Sequence, residues 1–315
     1  MALQLHRVAL IGFGEAGGIL GNDLAALGRF QVATYDLLLD DPQRRAAMLA
    51  KAQRAGVMAA PTLAQAIEGA DLIISAVTAS AARDVARELG AAARAGQLCL
   101  EINSVSPKTR RENCRAIEHG GADYVEAAVM APVPPQRLKV PILLGGRRAG
   151  ELAECLTALG MNAKAVATDV GVASAIKMCR SIMIKGLEAL TVECMFVARR
   201  YGAEEAVLKS LDATYPSMGW GGTLPDYLVS RVAEHGRRRA AEMLEVAQTL
   251  IDAEMEPTMA MATSTLQAWL PEAMAQAGLS YQPGAQFSWR DLADALRRAR
   301  ETGEEESAAP PASPK

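Results

Sequence analysis

Arg7-Val-Ala-Leu-Ile-Gly-Phe-Gly-Glu-Ala-Gly17 is the stretch on which the reading of this chain turns. Val8, Ala9, Leu10 and Ile11 form a short apolar run, as expected of a strand buried on both faces. Gly12, Gly14 and Gly17 then fit the spacing G-x-G-x-x-G, and the apolar stretch from Gly18 to Leu27 predicts a helix. In such an arrangement Gly12 permits the tight turn, Gly14 lets a pyrophosphate approach the backbone, and Gly17 lets helix and strand lie close together. Gly12, Phe13, Gly14, Glu15, Ala16 and Gly17 are therefore candidate cofactor-binding residues, with the phosphates on the free N–H groups of the helix start. Val32-Ala-Thr-Tyr-Asp36 reads as a second strand. Asp36 stands about 20 residues past the motif, where an acidic side chain binds the adenosine ribose hydroxyls. A flexible glycine loop and a surface aspartate are the plain alternative, but the motif has its strand, its helix and its acidic partner in place.

The next segments continue the alternation. Arg44 and Arg45 follow the second strand, where an arginine can hold a 2′-phosphate, but Asp36 would repel that group, so NAD is expected rather than NADP. Ala64 to Gly69 predicts a short helix and Asp71 to Val77 a buried strand, whose carboxyl end delivers Val77 and Thr78 to the edge where ligands sit in an open parallel sheet. Ala81 to Ala95 is helical in pattern. Leu98 to Ile102 is a strand that ends at Asn103-Ser104-Val-Ser106-Pro107. Ser106 suits an N-cap before a proline-started helix, while Asn103 and Ser104 are the candidates for meeting a ligand. Strands are expected at Asp123–Ala127, Val140–Leu144 and Ala163–Val166, with a stiff proline-rich loop at 131–135 and a helix over 152–159. This half reads as a Rossmann-type doubly wound α/β sheet, residues 1–167. From Thr168 the pattern changes. Val172 to Arg200 is one long helix, followed by helices over 204–213, 224–254, 257–277 and 289–300, with Pro271 placed to kink or split the helix over 257–277. Residues 168–300 thus form an all-α domain for substrate and dimerisation, and 301–315, rich in Glu, Ser, Ala and Pro, read as a disordered tail.

Composition removes several classes of function. The chain has 315 residues, enough for two cores, and half of them are hydrophobic. A net charge of −3 and 4% aromatic residues give neither an electrostatic nor a base-stacking reason to expect nucleic acid. No apolar run reaches membrane-spanning length, and the first strand begins too early to leave room for a signal peptide. The five cysteines show no C-x-x-C spacing and read as free thiols in a reducing compartment, so a cytoplasmic protein without metal is expected. None of His6, His119 and His235 falls in a catalytic constellation.

The long helix carries the chemistry of the second half. Ser174, Lys177, Ser181, Lys185, Glu188 and Thr191 recur at three- and four-residue steps and fall on one face, while the rest is mostly apolar and predicts burial nearly all round. Glu188 is spaced to pair with Lys185. Lys177 has no acidic neighbour one turn away. Facing a cleft it would be a general acid/base; on the domain surface it would be a solvated, snorkelling side chain. The pattern leaves both readings open.

Together these residues resemble the β-hydroxyacid dehydrogenase superfamily, which includes 3-hydroxyisobutyrate dehydrogenase, tartronate semialdehyde reductase and 6-phosphogluconate dehydrogenase. The N-terminal signature is matched by Leu10 to Gly17 and the lysine signature by Gly171-Val-Ala-Ser-Ala-Ile-Lys177, over roughly residues 5–300. The resemblance implies a dimer through the helical domains. It also implies that Lys177 takes the proton from a substrate hydroxyl while hydride passes to the nicotinamide, with Asn103, Ser104 and Ser181 orienting a small-molecule substrate. Two positions depart from the family. Ser181 replaces its usual asparagine, and Glu126-Ala-Ala-Val-Met-Ala-Pro132 replaces its D-A-P-V-S-G-G loop, so the site for a substrate carboxylate is altered and a more apolar or bulkier substrate fits better. The helical half looks closest to a branch known only by likeness to phosphogluconate dehydrogenase, with Gly236-Arg-Arg-Arg-Ala-Ala-Glu-Met243 as a marker. Those arginines read as a charged helix face, or as a holder for an acidic substrate. An imine reductase on the same architecture is the competing enzyme reading, which Lys177 opposes. A cofactor-binding sensor with a decayed site is the non-enzymatic one.

Overall fold

The structure, a computed structural model, describes residues 3–284 and 286–308. Eight strands form one sheet: β1 Arg7–Ile11, β2 Gln31–Tyr35, β3 Met58–Ala59, β4 Leu72–Ser75, β5 Leu98–Glu101, β6 Asp123–Val129, β7 Ile142–Gly145 and β8 Ala163–Ala167. Their order is β3-β2-β1-β4-β5-β6-β7-β8, and every neighbouring pair is parallel except β6 and β7. The helices of this half are α1 Glu15–Ala26, α2 Arg45–Arg54, α3 Leu63–Ile67, α4 Ala82–Ala92, α5 Pro107–His119, α6 Val133–Gln136 and α7 Ala149–Ala158. The expected Rossmann-type sheet is present. The short strand β3 carries no pattern of its own. The reversal at β7 follows from its connection: between β6 and β7 the chain holds only the proline-rich segment with the four-residue α6, too little helix for a parallel crossover.

Alternation along the strands explains the double covering. Val8, Leu10, Leu72, Ile74, Leu98 and Leu100 point into one core, and Ala9, Ile11, Ile73 and Cys99 into the other. A strand buried on both faces has no polar phase, which is why β1 and β4 read as unbroken apolar runs. Burial also pushes the Cys99 thiol well above its usual range.

The second half continues with α8 Val172–Arg200, α9 Glu204–Thr214, α10 Leu224–Asp252, α11 Thr258–Gln276 and α12 Trp289–Ala308. The chain divides into two compact units, Met1–Cys179 with Gln248–Met255, and Arg180–Ala247 with Glu256–Lys315. The division thus falls inside α8, whose first turns belong with the sheet. In the first unit the exposed Lys108 reaches Asp252 of α10 at 3.4 Å. Helix α12 runs to Ala308, into the stretch read as a tail, because its glutamates and alanines are good helix formers. The remainder of that stretch, 309–315, lies outside the described residues.

Helix α11 passes through Pro271 without splitting. Proline has no N–H for the carbonyl of Gln267, and that carbonyl faces Gly236 of α10. A Cβ on Gly236 would stand 2.2 Å from the Gln267 oxygen and 2.7 Å from Pro271 Cγ. The two helices therefore meet backbone to backbone, and Gly236→Ala is expected to cost about 2–3 kcal/mol as an overpacked contact. Chemical denaturation, read as a lowered midpoint with unchanged slope, measures it.

The polarity of α8 reverses the sequence expectation. Met183, Leu190 and Val197 are exposed, at 74%, 55% and 53%, whereas Ser181, Lys185, Glu188 and Thr191 are buried. The polar stripe faces inward because α10 and α11 supply its partners. Lys185 Nζ donates to Glu242 at 2.7 Å, Arg239 pairs with Glu188, and Gln267 donates to Glu188 at 3.1 Å. So Glu188 does not take Lys185, its neighbour on the helix, but an arginine from across the interface, and the run Gly236 to Met243 is largely spent on these pairs. Burial lowers the Lys185 pKa despite the pull of Glu242.

Candidate active site

The glycine turn is built as its sequence requires. Gly12 has φ 91°, a conformation that favours glycine, and donates to the Tyr35 carbonyl at 2.9 Å. A Cβ on Gly17 would lie 2.0 Å from the Gly12 carbonyl oxygen, so α1 touches the turn with no room for a side chain. In front of Gly14 a Cβ would meet nothing within 4 Å. Helix α1 starts there with no side-chain cap on its first N–H groups. An uncapped helix start behind an open glycine is the arrangement that accepts a phosphate, and Gly14, Glu15, Ala16 and Gly17 would hold that part of a dinucleotide.

Asp36 stands where the motif requires it, just past β2. Its Oδ2 accepts from the Phe13 N–H at 2.6 Å and its Oδ1 from the Leu38 N–H at 2.9 Å. The residue therefore pins the glycine turn to the end of the second strand. Phe13 itself is fully buried and packs under α1, its ring filling the space that the missing side chain of Gly21 leaves.

Val77 and Thr78 follow β4, and Asn103 follows β5. Asn103, a candidate for meeting a ligand, lies inside the protein. It is buried, its Oδ1 accepts from the Val77 N–H at 2.7 Å, and its Nδ2 donates to Ser75 Oγ at 3.1 Å and Glu101 Oε1 at 3.0 Å. Every polar atom of the amide is thus committed, and Asn103 acts as a bracket that fixes the β4 loop. Ser104 beside it is half-buried, and Ser106 caps α5 as expected, its Oγ accepting from the Thr109 N–H.

Beneath this loop lies a charged cluster that sequence reasoning missed. The Arg110 guanidinium, buried on α5, donates to the carbonyls of Glu101 at 2.6 Å and Ala127 at 2.9 Å, and to that of Asn103. It lies 3.4 Å from the Glu101 carboxylate and 3.9 Å from that of Glu126, both fully buried. Burial opposes the charge on Arg110, but Glu101, Tyr124 and Glu126 outweigh it and hold the side chain charged above its usual range. Glu101 also takes the Tyr124 hydroxyl at 2.6 Å and the Asn113 amide at 3.1 Å. Burial raises the Tyr124 phenol well above its usual pKa, so it remains a donor. The one available signal was a pair of glutamates, Glu101 and Glu126, within otherwise apolar strands.

Glu126 links this cluster to α8. Its Oε1 accepts from the N–H groups of Gly171 at 2.6 Å and Ala173 at 3.1 Å, and its Oε2 from Ser174 at 3.3 Å. A carboxylate from the middle of the sheet thus caps the helix that carries Lys177, and the helix dipole favours its charge. Gly145 makes the room, since a Cβ there would lie 2.6 Å from Glu126 Oε1. Lys177 follows one turn after these capped residues and is half-buried in the first unit. Ser181, one turn further, is buried in the second.

Residues 7–171 match the NAD binding domain of 6-phosphogluconate dehydrogenase, just over half of the chain. The chain belongs to that family. Residues 198–270 match a second domain described only as one of unknown function. Similar proteins extend over most of the chain. A conserved hypothetical protein from Sinorhizobium meliloti 1021 is 38% identical, with 94% of this chain and 97% of that one covered and a TM-score of 0.75. A conserved protein of unknown function, described as structurally similar to 3-hydroxyacid dehydrogenases, is 32% identical over 83% of this chain and 97% of its own, with a TM-score of 0.67. The 3-hydroxyisobutyrate dehydrogenase of Mycobacterium tuberculosis shares the fold, with a TM-score of 0.67 at 17% identity over 93% and 100% of the two chains. The NAD-binding domain and these likenesses support an NAD(P)-dependent oxidoreductase.

Proposed function

We propose that the protein transfers hydride between NAD and a hydroxy-acid-like alcohol or its carbonyl, with Lys177 as general acid/base. The observation that carries this reading is the open, uncapped start of α1 behind Gly12, Gly14 and Gly17, together with a lysine on a helix fixed to the same sheet by Glu126. When bound, the nicotinamide accepts or supplies the hydride. The chain's own residues do the rest. The glycine turn holds the phosphates, and Asp36 holds the ribose and disfavours a 2′-phosphate. Lys177 takes the proton from the substrate hydroxyl in oxidation and returns it in reduction, the task of a positioned acid/base. Ser104 orients the substrate, while Asn103 serves by fixing the Val77–Thr78 loop. Met130, Ala131 and Pro132 stand where the resembling dehydrogenases hold a carboxylate, so an apolar or bulkier substrate suits this site. The active form in this reading is a cytoplasmic homodimer, since the exposed row Met183, Leu190 and Val197 gives the helical unit an apolar surface to cover.

The test is nicotinamide absorbance in both directions with NAD and NADP against 3-hydroxy acids, aryl hydroxy acids, hydroxyketones and cyclic imines. Turnover of a hydroxy acid or its carbonyl with NAD supports the reading. Faster turnover of a cyclic imine than of every carbonyl would replace it with an imine reductase.

A further inference from the structure

Lys51 of α2 lies in none of the motifs above, yet its side chain ends on the glycine turn. Its Nζ donates to the carbonyl of Phe13 at 2.6 Å and to that of Gly14 at 2.7 Å, and stands 5.3 Å from the centre of the Phe13 ring. The stem crosses α1 at Gly18, where a Cβ would come within 2.9 Å of Lys51 Cε. Gly18 is therefore a notch cut for this lysine. The peptide units around Phe13 are gripped from two sides, with Asp36 accepting from its N–H and Lys51 donating to its carbonyl.

The charge balance is the telling part. Both partners of Lys51 are neutral carbonyls, and no carboxylate lies within ion-pair distance of it among the described residues. An ammonium has three N–H groups, and two are used. The third, and the full positive charge, are left beside the first turn of α1, a helix whose start itself favours anions. We infer that Lys51 is a phosphate-binding residue of the cofactor site, its ammonium meeting a phosphate of the dinucleotide while its other two protons keep the turn in shape. The phosphate is either the pyrophosphate common to both cofactors or the 2′-phosphate of NADP.

The full-length protein tests this through cofactor affinity alone, with no substrate needed. Dissociation constants for NADH, NADPH and adenosine are measured by titration for the wild type, Lys51→Met and Lys51→Arg, with the melting temperature of each unliganded protein. Expected is a loss of roughly tenfold in Lys51→Met, about the worth of one charge-assisted hydrogen bond. Lys51→Arg should keep most of the affinity and adenosine binding should not change. An equal loss for NADH and NADPH assigns the pyrophosphate, and a loss confined to NADPH assigns the 2′-phosphate. The salt dependence of NADH or NADPH affinity should flatten in Lys51→Met, because one charge contact is gone. The inference is overturned by unchanged affinity for both cofactors. It is also overturned by an equal loss for adenosine accompanied by a lower melting temperature, which would make Lys51 only a clamp on the turn.

Discussion

Lys177→Ala should lose turnover by a factor of about 10²–10⁴ while NADH binds as tightly as before. That is the range by which a positioned acid/base speeds proton transfer. The expected separation of the two effects follows from the structure. In the proposed site the phosphate end is assigned to Gly12, Gly14 and Gly17 and to the start of α1, whereas Lys177 lies on α8. Truncating it leaves the three N–H groups of Gly171, Ala173 and Ser174 on Glu126, so α8 keeps its start. Single-turnover absorbance with the substrate found in the panel, beside an NADH titration, gives both numbers. Equal loss of affinity and rate would place Lys177 in cofactor binding, and an unchanged rate would remove it from the chemistry.

Arg110→Met should leave little folded protein. One guanidinium stands between two fully buried carboxylates and also satisfies three backbone carbonyls. Removing one partner of a buried ion pair costs about 3–5 kcal/mol, because the remaining charge is left without solvent or counter-charge. Here two carboxylates lose it at once, and a small domain is stable by only about 5–15 kcal/mol. The expected result is a large fall in the denaturation midpoint, or insoluble protein. A double change, Arg110→Met with Glu101→Gln, should recover part of the loss, because it removes one stranded charge together with its partner. No recovery would mean that the hydrogen bonds to the carbonyls, not the charges, hold this part of the sheet.

How far these features could be read from sequence depended on whether a residue's partners were close in the chain. The turn Gly12 to Gly17 was legible because its glycines answer to steric demands a few residues away. Asp36 was legible because the distance from the motif is fixed by one helix. The fates of Asn103, Glu126 and Arg110 were not, since their partners come from neighbouring strands and from the start of α8, and nothing local distinguishes a bracket from a ligand-facing amide. The polar stripe of α8 was found, but its direction was left open and its apolar residues were expected to be buried nearly all round. Hydrophobicity alone predicts that Met183 and Leu190 are inside, and only the arginine and glutamate of α10 explain why Glu188 and Lys185 are inside instead. The reversal at β7 depended on the absence of a proper crossover helix, which the proline-rich segment signalled without stating the outcome.

The cap supplied by Glu126 also bears on the order in which the molecule can be assembled and on where it can be cut. The first turn of α8 finds its acceptor only once β6 has been laid into the sheet, so this end of the helix should be among the later parts to become protected during refolding. A fragment beginning at residue 168 would inherit the whole helical half but start it with three amide groups that have lost their carboxylate, and its first turns would fray, Lys177 with them. By composition the helical half resembles a detachable piece, but the lysine at its beginning depends for its order on a carboxylate of the sheet.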